Sequence, residues 1–89
     1  MSSKRVENYR GDIKWVNEDG ELHRLDGPAY ISSDGKDKEW WVNGFPHRLD
    51  GPALEWDSSD TKQYYIEGEK VKEENFLELS RKKKLKDIL

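Results

Sequence analysis

The chain has 89 residues, of which 39% are charged and 33% hydrophobic, with a net charge of −3 and no cysteine. That length holds one small domain with a thin core. Without cysteine, a disulfide framework and a thiolate metal site are both excluded, and the mildly acidic balance gives no general pull toward nucleic acid or anionic lipid. Four Trp, four Tyr and two Phe stand against disorder and fit a single sheet with aromatic ladders better than a deep globule.

Residues 1–10 are polar and without period, and read as a flexible amino-terminal arm. The start, Met1-Ser2-Ser3-Lys4-Arg5, lacks the apolar stretch of a secretory signal. No later apolar run approaches membrane-spanning length. A cytoplasmic protein is therefore expected.

Residues 11–70 read as a sheet of hairpins. Lys14-Trp15-Val16-Asn17, Trp40-Trp41-Val42-Asn43 and Tyr64-Tyr65-Ile66-Glu67 are rich in aromatic and β-branched residues and each precedes a turn signal, so all three predict strands. They align on Trp15, Trp41 and Tyr65. Between them the seven residues His23-Arg24-Leu25-Asp26-Gly27-Pro28-Ala29 return as His47-Arg48-Leu49-Asp50-Gly51-Pro52-Ala53, a shift of 24 (47 − 23). A repeat of this size marks stacked supersecondary units. Asp-Gly-Pro predicts a turn, since Asp bonds nearby backbone, Gly tolerates unusual φ and Pro drives its predecessor out of the helical region. Return strands then begin at Pro28 and Pro52. The expected fold is mainly β, an antiparallel meander of about five strands.

From residue 71 to 89 the pattern changes. Glu73, Glu74 and Glu78 precede Arg81, Lys82, Lys83, Lys84 and Lys86, a charge order that complements a helix dipole. One capping helix of about four turns is predicted. Phe76 and Leu79 share the side expected to dock, whereas Leu77, Leu85, Ile88 and Leu89 lie nearly opposite. Alternation places Trp15, Trp41 and Tyr65 on one sheet face, and Val16, Val42, Ile66, Trp40 and Tyr64 on the other. One helix cannot cover both faces. Trp40, Trp41, Trp56, Leu77, Leu85, Ile88 and Leu89 are therefore the candidate partner-binding residues, with homodimerisation the simplest use of the surplus.

The duplicated heptad also admits chemistry. His23 with Asp26 and His47 with Asp50 are metal-type ligands, but their recurrence in each unit points to pinning the turn. His23, Arg24, His47 and Arg48 form a possible ligand site, a phosphate grip with a tryptophan as stacking platform for a small nucleotide. The run Arg81 to Lys84 reads as a solvated helix face rather than a nucleic-acid site. Nucleophile elbows and Gly-rich phosphate loops are missing from the sequence. Both histidines lie in the duplicated segment, so the expectation is a non-enzyme without cofactor or metal.

The strand, the Asn-Gly-like turn and the His-Arg-x-Asp-Gly-Pro-Ala segment together resemble the MORN-type hairpin repeats, over residues 13 to about 79. Short proteins of this variant are familiar from large-tailed bacteriophages. The resemblance implies a binding or scaffolding role, such as a phage accessory protein that inhibits a host defence protein in the host cytoplasm. A nucleotide-sequestering binder and a structural virion component are the alternatives it leaves.

Overall fold

The computed structural model describes residues 3–88, with side chains to residue 85. Its strands are β1 (Lys4–Glu7), β2 (Ile13–Val16), β3 (Tyr30–Ile31), β4 (Asp37–Glu39), β5 (Trp41–Val42), β6 (Phe45–Pro46), β7 (Leu54–Trp56), β8 (Thr61–Ile66) and β9 (Glu69–Val71), followed by one helix, α1 (Glu73–Ile88). Seven strands form an antiparallel sheet in the order β1-β2-β3-β4-β7-β8-β9, while β5 and β6 form a separate hairpin. The mainly β meander with one carboxy-terminal helix is as expected. Its strand count exceeds five because each end adds a strand, β1 and β9, and the β5–β6 hairpin stands apart from the main sheet.

Part of the supposed arm is structured. Lys4–Glu7 pair with β2, Lys4 opposite Val16 and Glu7 opposite Ile13. The tie between them is local: Asn8 Oδ1 accepts from the amides of Arg10 and Asp12, and the Asn8 carbonyl accepts from Gly11. A side-chain-braced turn of this kind forms without any apolar signal. That is why the polar sequence gave no period.

The heptad is not a reversal. Trp15 accepts from the His23 amide and donates to the Ala29 carbonyl; Trp40 does the same with His47 and Ala53. The two ends of each heptad thus meet one tryptophan on the neighbouring strand. The chain between them bulges out and then continues in its former direction. Both alanines are fully buried, leaving no room for a larger side chain where the strand re-enters.

This pinning also corrects the alignment of the units. Trp15 corresponds to Trp40 and Tyr64, not to Trp41 and Tyr65. The first hairpin turns through Glu18-Asp19-Gly20, with the Asn17 carbonyl accepting from Gly20 and Asn17 Oδ1 from Asp19 and Glu21. The second and third use two-residue turns, Asn43-Gly44 and Glu67-Gly68, with φ of 49°, 83°, 52° and 85°. Positive φ at both positions is the type I′ geometry that matches strand twist. The longer first loop offsets its strand by one residue, which moves Trp15 to the other face.

Register and alternation give two unlike faces. One carries Trp15, Trp40 and Tyr64. The other carries Tyr30, Glu39, Trp41, Leu54, Trp56, Gln63 and Tyr65. The first face is covered in three steps. The Arg24 guanidinium lies 3.8 Å from the Trp15 ring centroid and that of Arg48 lies 3.6 Å from Trp40, while the Phe76 ring sits 4.7 Å from Tyr64. Phe76 and Ser80 are buried. Leu79, expected to dock beside Phe76, is 42% exposed, because the inward row runs Phe76 to Ser80 at i, i+4. The molecule measures 40 × 32 × 17 Å; at 17 Å, there is depth for one sheet and a helix but not for a second sheet beyond them.

Candidate interaction surface

The histidines, arginines and glycines of the heptad have structural duties. His23 Nδ1 accepts from the Asn43 amide at 2.9 Å, and His47 Nδ1 accepts from the Glu67 amide at 2.9 Å. Both amides open the next unit's type I′ turn. The neighbouring bonds run the same way: Arg24 N to the Trp41 carbonyl and Gly44 N to Leu22, then Arg48 N to Tyr65 and Gly68 N to Pro46. The histidines therefore couple one hairpin to the next. Because Nδ1 accepts, the neutral ring carries its proton on Nε2. In His23, which is 1% exposed, that Nε2 is buried with no partner among the described residues.

The arginines turn inward. Arg24 donates from Nε to Asp26 and from a terminal nitrogen to the Pro28 carbonyl. Arg48 donates to the Pro52 carbonyl and to Glu55 Oε2 at 2.9 Å. Gly27 and Gly51 make room for this fold-back, since a Cβ at Gly27 would lie 2.9 Å from Arg24 Cζ and one at Gly51 3.2 Å from Arg48 Cζ. A groove of about 450 Å³ runs between the two bulges, lined by Arg24, Asp26, Trp40, His47, Arg48 and Asp50 among others. Nε and one terminal nitrogen of Arg24, and one terminal nitrogen of Arg48, donate to the protein's own oxygens, and the rim carries the carboxylates of Asp26 and Asp50. That arrangement disfavours a phosphate.

Asp50 instead pairs with Lys84 of α1 at 2.8 Å. The Lys84 ammonium holds its carboxyl below the usual carboxylate range, with Arg48 adding to the effect. Lys83 pairs with Glu67 at 2.6 Å. The helix is thus tied to the second bulge and to the third turn.

The opposite face keeps its aromatic residues together. Trp41 Nε1 donates to Glu39 Oε1 and Trp56 Nε1 donates to Glu39 Oε2, each at 2.9 Å. Glu39 stands opposite Tyr30 on one side and Leu54 on the other. Leu54 is buried, whereas Tyr30, Glu39, Trp41 and Trp56 are half-buried. Burial raises the pKa of the Tyr30 phenol, and the carboxylates of Asp12, Glu39, Asp37 and Asp34 push it further the same way. Carboxylates thus gather around the Tyr30 ring, with Lys14 the cross-strand neighbour on its other side.

Of the candidate partner-binding residues, Trp41 and Trp56 are joined through Glu39. Trp40 lies on the other face beneath Arg48, so it does not belong with them. Leu77 and Leu85 are 67% and 56% exposed. The Ile88 side chain and all of Leu89 lie outside the described residues. Sequence reasoning missed Glu39 and Tyr30. The available signal was alternation: Glu39 precedes Trp41 by two residues and shares its face.

Among the described residues, no helix is long and apolar enough to cross a membrane. The fold and surface define a hairpin-repeat sheet with one covered face and one open aromatic face. Comparison with protein-family models, curated proteins and solved structures returns no match.

Proposed function

We propose that the protein is a non-catalytic interaction module that docks a protein partner on the face carrying Tyr30, Trp41 and Trp56. The observation that carries this reading is the pair of indoles held together by one carboxylate on the sheet face that α1 does not cover. Half-buried Trp and Tyr anchors are the residue types that dominate interface energies. The heptad supports the non-enzymatic reading, since its histidine Nδ1 atoms accept from the next unit's turn and its arginines donate to oxygens of their own unit. The resemblance to MORN-type phage repeats extends the proposal to an accessory protein that inhibits a host protein in the host cytoplasm. A chain without cysteine suits that reducing compartment.

The test is affinity capture of the tagged protein from its native host, compared with Trp41→Ser and Trp56→Ser variants whose melting is checked in parallel. A partner retained by the native chain and lost by folded variants is the expected result. A partner that both variants retain, or a native chain that captures nothing, refutes the reading.

A further inference from the structure

The two faces of the sheet treat tryptophan differently. On the covered face each indole is paired with a guanidinium from its own chain: Arg24 lies over Trp15 and Arg48 over Trp40. Each of those guanidinia is also anchored on a carboxylate, Asp26 for Arg24 at 3.0 Å and Glu55 for Arg48 at 2.9 Å. The recurring unit is an indole, a carboxylate and an arginine between them.

The open face holds two of those three parts. Trp41 and Trp56 flank Glu39, whose two oxygens accept the two indole N–H groups. No cation of this chain pairs with Glu39 among the described residues. A carboxylate drawn partly out of water beside three aromatic rings costs desolvation energy that a cation in contact would offset. Asp12, Asp34 and Asp37, which together with Glu39 act on the Tyr30 phenol, strengthen the negative field there. An ammonium would gain the charge attraction alone. A guanidinium also stacks flat on an indole, and its fork of donors suits a carboxylate.

Resting on the reading of this face as a docking surface, we propose that the Trp41–Glu39–Trp56 cluster receives an arginine side chain of the partner protein. The partner supplies across the interface what Arg24 and Arg48 supply within the chain.

The experiment titrates the native protein with hexa-arginine, hexalysine and hexaglutamate peptides, following tryptophan emission and calorimetric heat. The hexa-arginine peptide is expected to bind, with hexalysine at least threefold weaker and hexaglutamate silent. Glu39→Gln is expected to weaken hexa-arginine binding at least tenfold. Asp26→Asn removes the same charge from the opposite face and is expected to leave binding within twofold. Trp56→Phe keeps the carboxylate and a ring, and guards against a misfolded Glu39 variant by losing less affinity than Glu39→Gln. Equal binding of the arginine and lysine peptides, or equal losses in Glu39→Gln and Asp26→Asn, overturns the assignment as diffuse charge attraction. Absence of hexa-arginine binding overturns the arginine but leaves the face standing if Trp56→Ser still abolishes partner capture. Capture that survives Trp56→Ser overturns both.

Discussion

Replacing His23 by Ala tests the claim that the heptad exists to couple units. The substitution deletes the acceptor of the Asn43 amide and empties a site that is 1% exposed. Loss of the bond with a part-buried amide left unpaired costs about 1–3 kcal/mol. Removing a buried ring of this size adds roughly 2 kcal/mol or more for lost packing. Relief of the unpartnered Nε2–H returns about 1 kcal/mol, so the net loss is about 3 kcal/mol. Against a total stability of roughly 5–15 kcal/mol and a urea slope of about 1 kcal/mol/M, the urea midpoint falls by about 3 M. Amide exchange adds the local signature. Once global stability is corrected for, the Asn43 amide loses protection while the Glu67 amide, held by His47, keeps it. A loss under about 1 kcal/mol, or exchange at Asn43 that changes no more than at Glu67, refutes the coupling role.

Phe76→Ala removes the ring packed at a tilt against Tyr64 and is expected to cost about 3–4 kcal/mol. A 16-residue helix is marginal alone, so ellipticity at 222 nm should fall before the sheet melts; simultaneous melting would contradict this. Gly27→Ala should cost about 1 kcal/mol through displacement of Arg24 from Trp15, more than Gly51→Ala, because the clash is closer; equal melting temperatures for the two variants would argue against the fold-back. Leu77→Gln with Leu85→Gln is expected to leave stability within about 0.5 kcal/mol and to turn any dimer into a monomer by light scattering, so a persistent dimer places self-association elsewhere. Asp50 has a folded pKa below its unfolded value because of Lys84. Its contribution is present above the ordinary carboxylate pKa of about 3.9 and is lost as pH falls through the lower folded value. Helix signal should decline across that acid window, and Asp50→Asn should flatten the decline.

The duplicated heptad, the strands around Trp15, Trp41 and Tyr65, and the terminal helix were legible because aromatic alternation and charge order are local signals. The bulge was not. Asp26-Gly27-Pro28 has turn chemistry, yet whether the chain reverses or continues depends on Trp15 holding both His23 and Ala29, which is long-range pairing. The one-residue offset of Trp15 followed from the same limit, since loop length rather than residue identity sets hairpin register. β1 was hidden because an edge strand of Lys4, Arg5, Val6 and Glu7 avoids apolar alternation, as exposed edges generally do. The candidate surface was half visible. Trp41 and Trp56 stood out by type, but their union depends on Glu39, an ordinary charged residue until the fold brings both indoles to it.

The end of the array follows from the same accounting of covered rings. At the third unit Val71 stands opposite Tyr64, where His23 and His47 stand opposite Trp15 and Trp40. Valine cannot accept from a following turn, so no fourth hairpin can be coupled there. Lys72 replaces the arginine, and an ammonium lacks the flat stacking surface of a guanidinium. Tyr64 would be left bare. Instead α1 brings Phe76 over it, and burial pushes the Tyr64 phenol up while Glu73 beside its hydroxyl adds to the shift. The helix therefore fills on the third ring the place that the bulge fills on the first two, and Lys84 ties it back to Asp50 of the second bulge. Capping and repeat are one device on that face; among the described residues the opposite face has no bulge and no helix of its own, which leaves it open as the proposed docking face.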